Sequence, residues 1–203
     1  MGSDDGVYII TLADNRQIDV YCDMSSECRQ GWTFIQRRID GTTDFNVNWA
    51  AYKAGFGNIS NEYWLGNDNI HVLTTSKDYI LRFDMEDFDG KTAYAEYTTF
   101  VVGNEASNYR LTIAGFRGTA GDSMIGDYSL NGQKFTTLDR DNDGPPDNCA
   151  ADSRMGAWWF NHCARVNVNG IYKTTNISSP DSIYWREFRQ FDALKSISMK
   201  IKP

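Results

Sequence analysis

The chain is short of the residues that most catalytic and metal centres need. In 203 residues there are two histidines, His71 and His162, and four cysteines, none of them in a C-x-x-C pair. Ligand count and spacing therefore speak against a zinc site. No G-x-S-x-G or H-E-x-x-H stretch occurs, and two isolated histidines build no triad, so the chain reads as a non-enzyme. No run of apolar residues is long enough to span a bilayer. Basic residues are outnumbered, 20 Lys and Arg against 27 Asp and Glu, giving a net charge of −7. Nucleic acid is a poor partner for such a surface. Prolines number only four, and two of them stand side by side at Pro145 and Pro146.

What the chain does have is aromatic rings and glycine: 6 Trp, 11 Tyr, 11 Phe and 17 Gly. That mixture fits one turn-rich domain of short elements with a large core. Apolar-polar alternation predicts strands at 6–10, 17–22, 31–39, 78–88, 92–103, 109–118 and 194–203. The first two are joined by the polar turn "ADNR", and 78–103 reads as a hairpin around "DFDGK". Helical spacing with glycine stops predicts helices in 48–56 and 61–74. Regular structure thins out from 119 to 190, too long a span for a connection, so it reads as a functional lobe. The fold class is α+β.

The stretch "DRDNDGPPDNCA" (139–150) opens like an EF-hand loop, with Asp139, Asp141, Asp143 and Gly144, but its twelfth position is Ala150 instead of glutamate. Calcium needs hard oxygen ligands rather than EF-hand helices, and a stiff irregular loop supplies carboxylates and carbonyls together. The acidic side chains call for a cation, or Arg140, among them. The alternative is a solvated acidic turn. Of the three possible disulfide pairings, the local one is favoured, Cys22 with Cys28 and Cys149 with Cys163. Disulfides and the sequons at Asn58 and Asn176 point to an extracellular, secreted setting.

Read in order, "VYCDM" (20–24), "GWTFIQRR" (31–38), "NEYWLGN" (61–67), "LRFDMEDFDG" (81–90), "DRDNDGPPDNCA", "GAWWFNHC" (156–163), "NVNGIY" (167–172) and "SMKIKP" (198–203) resemble the fibrinogen C-terminal type of domain, in its ficolin and tachylectin branch. The resemblance implies a central antiparallel sheet, short flanking helices and a loop-rich C-terminal lobe holding calcium and ligand. The opening residues 1–5 of "MGSDDG" read as a cloning remnant, and the domain itself divides into an N-terminal hairpin lobe (6–45), a sheet-and-helix region (46–118), a calcium and ligand lobe (119–190) and a closing strand (191–203). The resemblance implies calcium ligation by the side chains of Asp141 and Asp143 and the backbone oxygens of Pro145 and Asp147. In this family the partner of Cys22 lies upstream; here Cys28 either takes that role or both thiols stay free.

The same resemblance implies a ligand pocket around Arg154, Trp158, His162, Cys163, Ala164 and Arg165, with a cis peptide between His162 and Cys163. Lectin-like members grip an acetyl group there, yet Ala164 stands where they have histidine, Arg154 where tyrosine is common, and 179–181 lacks a ring. Two readings follow. Arg154, Arg165 and Lys173 have re-shaped the pocket for an anionic group, or they only neutralise nearby carboxylates. Trp158 and Trp159 are expected as pocket wall and core anchor, Phe160 as core, and His71 as a satisfied helix-end residue. The function expected is calcium-supported, lectin-like binding of acetylated or anionic surface glycans in innate immune recognition, multivalent through a homo-oligomeric parent protein. The alternative is a domain that binds a protein or peptide, with Asp152 or Asp181 facing a cationic ligand.

Overall fold

The computed structural model describes residues 4–24, 31–152, 156–163 and 165–203. Its strands are β1 (Gly6–Thr11), β2 (Gln17–Asp23), β3 (Trp32–Arg38), β4 (Phe56–Gly57), β5 (Tyr63–Trp64), β6 (Ile80–Asp87), β7 (Thr92–Val102), β8 (Leu111–Gly118), β9 (Val166–Asn167), β10 (Tyr184–Trp185) and β11 (Leu194–Lys202). Helices are α1 (Trp49–Ala54), α2 (Asn67–Ser76), α3 (Cys149–Asp152) and α4 (Arg186–Arg189). The main sheet runs β1-β2-β3-β11-β6-β7-β8, with β4 and β5 attached beside β3, and each of its pairs is antiparallel. This is the α+β architecture expected.

Local chemistry explains the elements. β6 alternates half-buried and buried residues along its whole length, the period-two pattern of a strand with one face on a core. Its turn to β7 is closed by Asp87, whose Oδ1 accepts from the amides of Asp89 and Lys91 at 2.9 and 2.8 Å. α1 starts where the Asn48 side chain accepts from the Ala51 amide at 3.0 Å, a side-chain cap on an otherwise orphaned donor.

The segment 61–74 is not one helix. Tyr63 and Trp64 pair with β3 and β4, and the helix starts only after Gly66, whose φ of +100° a side chain tolerates poorly. Three successive buried apolar residues, Tyr63, Trp64 and Leu65, serve a short buried strand as well as a helix. The closing strand β11 lies between β3 and β6, so one sheet runs from the N-terminal hairpin through the central region.

The core continues from the sheet into the C-terminal lobe through stacked rings. Phe135 lies 5.9 Å from Trp64, 5.3 Å from Tyr52 and 5.0 Å from Trp159, and Trp159 lies 4.9 Å from Trp158. Such edge and offset contacts add to the burial of large rings. They anchor the segment 156–160 that carries the candidate site.

Candidate functional site

The acidic loop is held from several sides. Thr137 and Arg140 exchange backbone hydrogen bonds at 3.0 and 3.1 Å, and the Asp139 carboxylate accepts from the Trp49 amide at 2.8 Å and the Thr137 hydroxyl at 2.7 Å. Asp139 is thus committed to α1. Arg140 does not sit among the aspartates: its guanidinium lies over the Trp49 ring at 4.0 Å and donates to Asn108 Oδ1 at 2.8 Å. Asp141 Oδ1 accepts from the Asp143 amide at 3.1 Å, and Asp143 Oδ2 accepts from the Cys149 amide at 3.1 Å. Asn148 caps α3, accepting from the amides of Ala150 and Ala151.

Asp141, Asp143, Pro145 and Asp147 offer only hard oxygens, the donor class a calcium ion takes. Pro145 and Pro146 bring carbonyls but no N–H into the loop. Among the described residues no group of three or more acidic, histidine or cysteine side chains converges, so a cation here would depend on carbonyls and water beside the two carboxylates. The donor chemistry fits calcium on those terms.

Cys149 and Cys163 form the expected disulfide, Cα atoms 5.3 Å apart, tying the loop to 156–163. Thr136 and Trp158 add a pair of backbone bonds at 2.9 and 3.1 Å across the same junction. Cys22 is buried, burial pushes its thiol up, and it forms no disulfide with a described residue. Cys28 and the proposed 22–28 bridge lie outside the described residues.

The ligand pocket departs from expectation. Among the described residues no peptide is cis; instead His162 and Cys163 take left-handed backbone angles, φ 48° and 56°. Asn161 bridges this bend, its amide donating to Cys163 O at 2.9 Å and its side chain to Ser129 O at 3.0 Å. Trp158 is fully buried with Trp159 and Phe160, so it belongs to the core rather than to a pocket wall. Arg154 and Ala164 lie outside the described residues, as does the side chain of Asp152. His71 is satisfied, its Nδ1 2.9 Å from the Val102 carbonyl, which can only accept, but it stands mid-way along α2 and not at a helix end.

The cations assigned to an anionic ligand are engaged within the chain. Arg165 pairs with Glu187 and stands 3.8 Å from Asp127; Lys173 pairs with Asp181 at 3.0 Å. Burial pushes the Asp181 carboxyl up, but hydrogen bonds from Ser179 and Lys173 outweigh it and hold the group below its ordinary range. Arg165 and Lys173 thus neutralise nearby carboxylates, as one of the two readings of these charges has it.

Sequence reasoning missed a rim of exposed groups. Tyr128, 58% exposed and at φ 62°, sets its ring 5.4 Å from the His162 ring, next to the exposed carboxylate of Asp127. The signal available was "GDYS" (126–129), a turn with a ring in it, but its approach to His162 depends on tertiary structure.

Comparison with known proteins agrees with this architecture. A family profile described as "Fibrinogen beta and gamma chains, C-terminal globular domain" matches residues 2–203. The chain belongs to the fibrinogen C-terminal domain family. It is 44% identical over 206 residues to fibrinogen-like protein 1 of Bos taurus, covering 95% of this chain and 65% of that one. It is 44% identical over 208 residues to fibrinogen C domain-containing protein 1 of Mus musculus, covering 98% of this chain and 44% of that one. The chain thus spans two-thirds or less of the length of these relatives. Among solved structures, the fibrinogen-like globe domain of human ANGPTL2 superposes with a TM-score of 0.93 at 42% identity, covering 100% of this chain and 94% of that one. Lamprey fibrin D-dimer, complexed with the peptide Gly-His-Arg-Pro-amide, gives 0.91 at 32%, covering 100% of this chain and 70% of that one. These relatives give no support to the placement among ficolins and tachylectins.

Proposed function

We propose that this domain is a non-catalytic extracellular recognition module whose ligands are proteins or peptides, engaged at the C-terminal lobe. The observation that supports this reading is that Arg165 and Lys173 are each ion-paired within the chain, which favours a protein or peptide ligand over an acidic glycan. Beside them the lobe presents Tyr128, His162 and Asp127, whose carboxylate stays 90% exposed although it lies 3.8 Å from Arg165. A carboxylate attracts an ammonium or guanidinium, and an exposed tyrosine face adds a cation–π contact, so a cationic peptide suits this rim. The peptide held by the related lamprey fibrin is itself basic, which supports the same direction.

Calcium enters as a support. Asp141 and Asp143, with the carbonyls of Pro145 and Asp147, would hold the ion, and its charge would offset carboxylate repulsion and stiffen the loop ahead of Cys149. The chain's own residues then fix the rim, because the disulfide and the Thr136–Trp158 bonds connect that loop to His162. Binding at one such site is weak, and a parent protein carrying several copies would gain by multivalency.

The test measures, side by side, binding of Gly-His-Arg-Pro-amide and of acetylated, sialylated and sulfated glycans, each with calcium and with a chelator. Peptide binding that weakens in chelator is the expected result. Glycan binding without peptide binding overturns the assignment and restores the lectin-like alternative.

A further inference from the structure

The N-terminal hairpin carries a feature that the C-terminal lobe does not explain. β1 ends the sheet, pairing with β2 on one side, and among the described residues no strand pairs with its other side. The β1–β2 register fixes which backbone groups face that open side. Leu12 N–H donates to Arg16 C=O at 2.8 Å, one step beyond the Thr11–Gln17 pair. Backbone direction alternates along an antiparallel ladder, so Ile10, Tyr8 and Gly6 point their N–H and C=O groups at β2. Thr11, Ile9 and Val7 point theirs outward.

The same three residues carry the exposed side chains of the strand, with Val7 44% and Ile9 68% exposed. Natural sheets blunt such edges with proline, lysine, bulges or very short strands. β1 has none of these, and its six pairs run without a register shift. The opposite edge, β8, is broken: Gly115 (φ +76°) drops out of its ladder, and Gly118 has φ +150°.

Charge then selects the occupant. Asp19 stands opposite Ile9, is exposed, and forms no ion pair with a described residue, while exposed Asp4 lies just before the strand. The only cation in the hairpin, Arg16, is paired with Asp14 at 2.7 Å. A second copy of this chain would bring the same aspartates, and a net charge of −7, to the same edge.

We propose that the outer edge of β1 receives an extended segment of a protein partner as an added strand, its side chains alternating apolar and basic. Main-chain bonds at Val7, Ile9 and Thr11 give the affinity; the basic side chains lie on the face that carries Asp19, and the apolar ones on the opposite face beside Tyr8 and Ile10.

The experiment uses the full chain and a short synthetic peptide of alternating valine and lysine, with a valine–glutamate peptide as control. Residue-resolved amide hydrogen exchange and fluorescence anisotropy are the readouts. With the basic peptide, exchange at Val7, Ile9 and Thr11 slows about tenfold or more, while Tyr8 and Ile10, already bonded to β2, stay as they were. Ile9→Pro removes one outward donor without touching the β1–β2 ladder, and weakens binding by about tenfold. Asp19→Lys, a surface change on β2, weakens it to a similar degree and keeps the test open if the proline variant folds poorly. Binding that leaves those three amides unchanged, or equal binding of the glutamate peptide, overturns the proposal. So does the same protection appearing without peptide as protein concentration rises, since the occupant is then a second copy. The edge belongs to the N-terminal hairpin, so either result leaves the C-terminal reading to its own test.

Discussion

Replacing Glu62 by alanine removes a buried carboxylate that holds four amides of the 39–43 turn. Glu62 is fully buried; its Oε1 accepts from the amides of Ile39, Asp40 and Gly41 at 2.7, 3.1 and 3.0 Å, and its Oε2 accepts from Thr43 at 3.0 Å. Its other neighbour is Arg38, also buried, with Nε 3.7 Å away. Burial lowers the Arg38 pKa to about 10, and Glu62 is the largest influence opposing that fall. Truncation therefore strands a buried cation, a change that costs about 3–5 kcal/mol. The four freed amides lie in a turn that can open to water, so they add little beyond that figure. Urea unfolding is the assay. With a slope of about 2 kcal/mol per molar, the midpoint should fall by roughly 2 M at unchanged slope. The pair Arg38→Met with Glu62→Leu should recover most of the loss, because no charge is then left buried. A loss under about 1 kcal/mol for Glu62→Ala, below the range for a broken buried pair, would refute the reasoning.

Opening the Cys149–Cys163 bridge with paired serines should cost about 3 kcal/mol for a loop of this length, read as a lower thermal midpoint. Stability should also fall on the acid side. The Lys91 amide and Arg189 outweigh burial at Asp87, and Lys53 and Trp49 hold Glu105, so both carboxyls lie below their ordinary values. A carboxylate with a depressed folded pKa contributes fully above its unfolded value and loses that contribution as pH falls through the folded one. Thermal scans should therefore be flat above about pH 5 and decline below about pH 4; a midpoint that holds constant through that lower window would contradict the assignment.

How much of this was legible in the sequence depends on the range of each interaction. Strands β6 and β7 could be read because their alternation is local and a single turn sets their register. The disulfide was legible from spacing together with family resemblance. The insertion of β11 between β3 and β6 was not, since nothing local in 194–202 names its neighbours. Nor was the fate of the pocket cations: Arg165 finds Glu187 twenty-two residues away, and Lys173 finds Asp181 across a loop. Both were named in the sequence as charges near the site, but their partners were set by the fold. Asp127 and Tyr128, which join the expected His162 in the rim, escaped for the same reason.

The central claim, that the C-terminal lobe recognises a cationic peptide through this rim, is tested most directly by an NMR titration of the labelled domain in calcium with Gly-His-Arg-Pro-amide. The account predicts that the largest saturable shifts fall on Asp127, Tyr128 and His162, and that Asp127→Asn reduces the affinity. Shifts confined to other surfaces, or none at saturating peptide, would contradict it.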